Sequence, residues 1–72
     1  MDEFSKIIIL EYCNNHKSMK SKFFYYLLKC SEDLAFCPSD EDVILLEKYI
    51  DKETDEELRD SLEELLDFLV YS

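Results

Sequence analysis

Three cysteines and a single histidine hold the metal and nucleophile chemistry of this 72-residue chain. Cys13-Asn14-Asn15-His16 sets a thiol and an imidazole three residues apart, and Cys30 and Cys37 follow. Zinc takes four such ligands in a tetrahedron. The spacing fits poorly, because seven residues of helix separate Cys30 from Cys37 by two turns, roughly 10 Å along one face. Both also fall on an apolar stripe, where free cysteine behaves as a small hydrophobe. Buried structural thiols are therefore expected, with a small zinc-stabilised domain as an alternative, and no cofactor or metal is assigned. Cys13 beside His16 is also the raw material of a thiolate–imidazole pair. Such a pair needs an orienting third group, an oxyanion hole and a pocket, and a chain without glycine offers little concave surface at this length. No catalytic residue is assigned, and the protein is expected not to be an enzyme.

Carboxylates are the other reactive groups, and their placement is lopsided. The formal net charge is −10, with five acids against five lysines in residues 1–39. Residues 40–72 hold thirteen acids against Lys48, Lys52 and Arg59, so the whole excess lies in the second half. Glu56, Asp60, Glu63 and Asp67 recur at four, three and four, which aligns them along one side of a helix at roughly 5 Å intervals. Asp40, Glu41 and Asp42 form a second cluster. No Asp-x-Asp-x-Asp-Gly loop is present, and carboxylates on the outside of one rigid helix do not converge on a calcium ion or a reacting atom. A solvated helix face ordinarily mixes signs and uses Glu-to-Lys pairs four residues apart. This row does not. Charge of this sign repels nucleic acid and anionic lipid and steers basic surfaces toward it, so neither direct nucleic-acid binding nor a membrane partner is expected.

Phe23, Phe24, Tyr25 and Tyr26, with Lys20, Lys22 and Lys29 around them, have the composition of a base-stacking platform. Helical spacing assigns Phe23 and Tyr26 to a core stripe instead. Phe24 and Tyr25 are left as the exposed remainder, a protein-contact patch together with Phe68 and Tyr71. A homodimer is the simplest use of such a patch.

The elements that must position these groups are helices. With no glycine and one proline the chain lacks the residues that tight β-hairpins rely on. The expected fold class is all-α: one compact domain over residues 1–72, a bundle of about four short helices whose last two form an acidic hairpin. The first helix, about 3–14, is capped by Asp2 and carries Phe4, Ile7, Ile8 and Leu10 on its apolar side. Asn14 to Ser18 reads as a turn. The second, about 18–36, has its stripe at Met19, Phe23, Tyr26, Leu27, Cys30, Leu34 and Cys37, with Leu28 off it. Pro38 breaks the chain and Ser39 caps a third helix, about 40–51, with Val43, Leu46, Tyr49 and Ile50 inward and Ile44 and Leu45 pointing elsewhere. The fourth, about 55–71, starts from Thr54 with Glu57 as its reciprocal partner and buries Leu58, Leu62, Leu65, Leu66 and Leu69. Its last turn is apolar nearly all round at Phe68, Leu69, Val70 and Tyr71, which calls for something to cover it.

The odd cysteine count, the absence of a basic segment after Met1 and the shortness of the apolar run Ile7 to Leu10 make a cytoplasmic protein the expectation. In size, acidity and lack of a catalytic constellation the chain resembles the class of phage and viral host-takeover proteins and anti-defence inhibitors, some of which mimic DNA. The likeness is one of composition, without a shared motif. It implies a small acidic regulator or inhibitor that docks its acidic helical face on a basic, nucleic-acid-binding protein surface. The alternative is a homo-oligomeric structural or adaptor module working through the aromatic patch.

Overall fold

The structure is a computed structural model that describes residues 1–33 and 38–71. Its described elements are helices α1 (Glu3–Asn15), α2 (Met19–Glu32), α3 (Asp40–Lys52) and α4 (Glu56–Tyr71), with no strand among the described residues. No described helix is long and apolar enough to cross a membrane. The longest, α4, packs against each of the other three. Leu58, Leu62 and Leu65 are buried on it, with Leu66 and Leu69 half-buried against the same core, so the leucine stripe acts as the spacing predicts.

Local chemistry sets each helix start. The Asp2 carboxylate accepts the Phe4 N–H. Ser18 and Ser21 satisfy each other's backbone N–H, and Ser39 and Asp42 do the same ahead of α3. The start of α4 differs from the sequence expectation. Asp55 caps it, accepting from the N–H groups of Glu57 at 3.0 Å and Leu58 at 3.3 Å. The Glu53 carboxylate accepts the N–H groups of both Thr54 and Asp55 ahead of the helix, and the charged Asp55 side chain complements the helix dipole at its start.

Rotation of α1 and α2 about their own axes is the larger correction. On α1, Ile9 is fully buried, Ile8 and Leu10 are half-buried, and Phe4 and Ile7 face solvent. On α2 the buried set is Ser21, Phe24, Leu27, Leu28 and Cys30, while Met19 and Tyr26 are exposed. α2 ends at Glu32 with Asp33 as its extended C-cap, short of the expected 36, and Leu34 and Cys37, expected on that stripe, lie outside the described residues. The reason is three serines. Ser5, Ser21 and Ser61 are all buried, each on a helix that packs against the other two. A small side chain lets helices approach closely, and each hydroxyl is satisfied: Ser5 donates to Glu64, Ser21 to the Ser18 carbonyl and Ser61 to the Glu57 carbonyl. An apolar-only stripe skips such positions and misplaces the face by one residue.

Antiparallel pairs build the bundle. At one end of α1 the Asp2 N–H and the Ser5 hydroxyl donate to the Glu64 carboxylate, which they hold below the ordinary glutamate range. At the other end Asn15 and His16 line one hollow with Asp55 and Glu57. An ion pair of 2.7 Å joins Lys6 to Glu32 between α1 and α2. On α3, Leu46 and Ile50 are buried, Val43 and Tyr49 are half-buried, and Ile44 and Leu45 are exposed, as their spacing predicts. Val43 and Ile44 lie beside Leu69 and Val70, and Ile50 and Asp51 beside Glu63, so α3 and α4 form the expected antiparallel hairpin.

Candidate functional site

Cys13, Cys30 and His16 make contacts within the helical bundle. Cys13 Sγ donates to the Ser21 carbonyl oxygen at 3.2 Å, and burial pushes its thiol up, away from thiolate. His16 stacks on Tyr12 with ring centroids 4.2 Å apart and sets Nδ1 3.1 Å from the Tyr12 carbonyl. Cys30 is buried. Among the described residues no group of three His, Cys, Asp or Glu side chains is placed to hold a metal ion, and Cys37 lies outside them.

The aromatic patch is corrected in one member. Phe24 is 0% exposed and is the largest fully buried side chain of the core. Its ring lies 5.5 Å from that of Tyr49, edge on, and 5.8 Å from that of Tyr12. Tyr25 is 46% exposed, has the Lys29 ammonium 5.2 Å from its ring, and lines a hollow with Cys13, Lys17 and Lys22. Phe68 is half-buried on α4 and Tyr71 is exposed. Tyr26, assigned by spacing to the core, instead donates its hydroxyl to Asp42 at 3.3 Å. The Cys30 thiol, desolvation and the Asp42 carboxylate together push Tyr26 up to about 12. Asp42 is thereby engaged twice, in the Ser39 cap and by Tyr26, whereas Asp40 and Glu41 are exposed.

Glu56, Asp60, Glu63 and Asp67 are all exposed along α4, as the row requires. The fold adds a second row that sequence reasoning missed. Glu47 and Asp51 of α3 line one hollow with Glu63 and Asp67, over a floor of Ile50 and Leu66. The signal lay in the spacing: Asp40, Ile44, Glu47 and Asp51 repeat the four, three, four pattern of α4, and an antiparallel hairpin sets the two stripes side by side. Among the described residues the ion pairs are Lys6–Glu32 and Lys20–Glu53, and neither includes a member of these rows.

Close unpaired carboxylates repel, and salt screens that repulsion. The melting temperature is expected to rise between about 0.01 and 1 M sodium chloride, as the screening length shrinks from about 30 to 3 Å. A relief of about 1 kcal/mol corresponds to about 4–8 °C for a domain of this size. Thermal scans that stay flat or fall would mean the rows are spaced widely enough not to interact.

No protein-family model, curated protein or solved structure matches the chain, and the reading of the site rests on its geometry.

Proposed function

We propose that the protein is a non-catalytic binding regulator, an inhibitor whose α3–α4 hairpin docks on the basic surface of a nucleic-acid-handling protein in place of the nucleic acid. The paired acidic rows carry this reading. Asp40, Glu47 and Asp51 on α3 and Glu56, Asp60, Glu63 and Asp67 on α4 are seven exposed carboxylates along one hairpin. From Glu56 to the level of Val70 a helix rises roughly 21 Å, which makes about one charge per 3 Å. A single DNA strand carries about one per 3.4 Å. A cationic groove shaped for that charge density meets a similar one here on a rigid, prefolded rod, with little conformational entropy lost on docking.

Affinity capture from a cell lysate, at low and high salt and with duplex DNA as competitor, tests the proposal. The expected result is a nucleic-acid-binding protein that is released by salt and displaced by the duplex. It should also be lost when Glu56, Asp60, Glu63 and Asp67 are all changed to lysine, because like charge at an interface is repulsive and screened. A partner retained at high salt, indifferent to duplex and to the fourfold reversal, would overturn the proposal.

A further inference from the structure

The hairpin's outer flank is a seam with two chemically distinct ends. Beside the acidic hollow of about 380 Å³ lies a second, of about 610 Å³, lined by Val43, Ile44, Leu69 and Val70 with Pro38 and Asp40 at its edge. Both open on the same flank. At about 100° per residue, Ile44 falls in one line with Glu47 and Asp51, and Val70 in one line with Glu63 and Asp67. Ile44 is 53% exposed and Val70 47%, while their neighbours Val43 and Leu69 are half-buried. One continuous furrow therefore passes from carboxylates to aliphatic groups within the length of α4.

We infer that this furrow receives a single helix of the partner, amphipathic and basic, with its aliphatic residues seated between Ile44 and Val70 and its lysines or arginines against Glu47, Asp51, Glu63 and Asp67. Charge complementarity selects the occupant. Four carboxylates without ion pairs border the furrow, so an acidic or neutral helix meets uncompensated repulsion or no attraction, and a second copy of this hairpin would oppose acid to acid. The aliphatic end supplies what charge cannot, a contact that water does not screen and that fixes the helix along the furrow. A helix of about 11 residues matches the roughly 16 Å from Asp40 to Asp51 along the furrow. The inference rests on the acidic-hairpin reading and makes it specific: the surface recognised is a helix with an apolar side, rather than any cationic patch.

Two synthetic peptides of identical lysine and leucine composition separate charge from shape. One carries its leucines at intervals of three and four; in its isomer they are scrambled. The patterned peptide is expected to bind at least about tenfold more tightly by fluorescence anisotropy. It should shift the amide resonances of α3 and α4 along the seam. The double variant Ile44→Gln with Val70→Gln should erase the difference between the peptides while leaving circular dichroism unchanged, since both residues are half exposed. Equal affinity of the two isomers, with no effect of the double variant, would overturn the furrow and leave the acidic-hairpin reading intact. Binding of neither peptide at low salt would also overturn the furrow, whereas the broader reading falls only on salt-insensitive capture of the partner.

Discussion

Replacing Phe24 with alanine is expected to destabilise the protein by about 3–5 kcal/mol, the range for truncating a buried phenylalanine. The ring is 0% exposed and sits among Tyr12, Phe23 and Tyr49, with the Lys20 ammonium 5.8 Å from its centroid. Its removal leaves a cavity lined by aromatic edges that cannot close without moving two helices. Total stability scales at about 0.05–0.15 kcal/mol per residue, or roughly 4–11 kcal/mol for a chain of this length. The loss therefore takes from about a quarter of that stability, at its upper figure, to all of it at the lower. Urea unfolding followed by circular dichroism measures this directly, with Tyr25→Ala as the control, since that neighbouring tyrosine is half exposed and its loss should cost under about 1 kcal/mol. A Phe24→Ala variant as stable as the Tyr25→Ala control would mean that Phe24 lies at the surface, where the three-and-four spacing of α2 had assigned it.

Changing Lys20 to methionine is expected to cost about 1–3 kcal/mol, the penalty for removing one partner of a largely buried, hydrogen-bonded charge. The ammonium lies 3.1 Å from Glu53 Oε1 and 5.5–5.8 Å from the ring centroids of Tyr12, Phe24 and Tyr49. One cation thus joins α1, α2, α3 and the connection to α4. Glu53 is the more sheltered member of the pair, at 10% exposure, and its other oxygen accepts the N–H groups of Thr54 and Asp55 where the chain turns into α4. Burial opposes the charge on Glu53, but the Asp55 N–H, Lys20 and the Thr54 N–H outweigh it and hold the carboxyl below the ordinary glutamate value. Methionine keeps much of the aliphatic stem and the contact with the rings, so the loss isolates the charge. The sign with pH follows from the direction of the Glu53 shift. A carboxyl lowered in the folded state contributes stability that is complete above the ordinary glutamate pKa and is lost as pH falls through the folded value. Chemical denaturation at a series of acidic pH values should show a shallower loss in Lys20→Met than in the parent. Parallel curves would show that Lys20 does not act through Glu53.

The distinction between these two residues follows how each was legible. Lys20 carries no periodic signal, and its role arises only when α1, α3 and the α3–α4 connection close around it. Phe24 sits in a run of four aromatics, Phe23 to Tyr26, where any of several helix rotations buries two rings. The choice among them was made by Ser21 and Leu28, one too polar and the other too far off the apparent stripe to be counted. The acidic site divides in the same way. The row on α4 was readable because all four members lie on one helix, while its opposite row on α3 required the register of the hairpin.

By itself the sequence determined the four described helices, the turn after α1, the break at Pro38, the caps at Asp2 and Ser39, the leucine stripe and the acidic row of α4. These depend on residues within about four positions of one another, the range over which helical hydrogen bonds, caps and the dipole act. Tertiary structure alone decided which way α1 and α2 turn, that three serines belong to the core, and that Glu47 and Asp51 stand beside Glu63 and Asp67. A helix is free to rotate about its axis until distant segments bury one side of it: Ser21 and Ser61 satisfy their hydroxyls on carbonyls of their own turn, whereas Ser5 depends on Glu64, far along the chain.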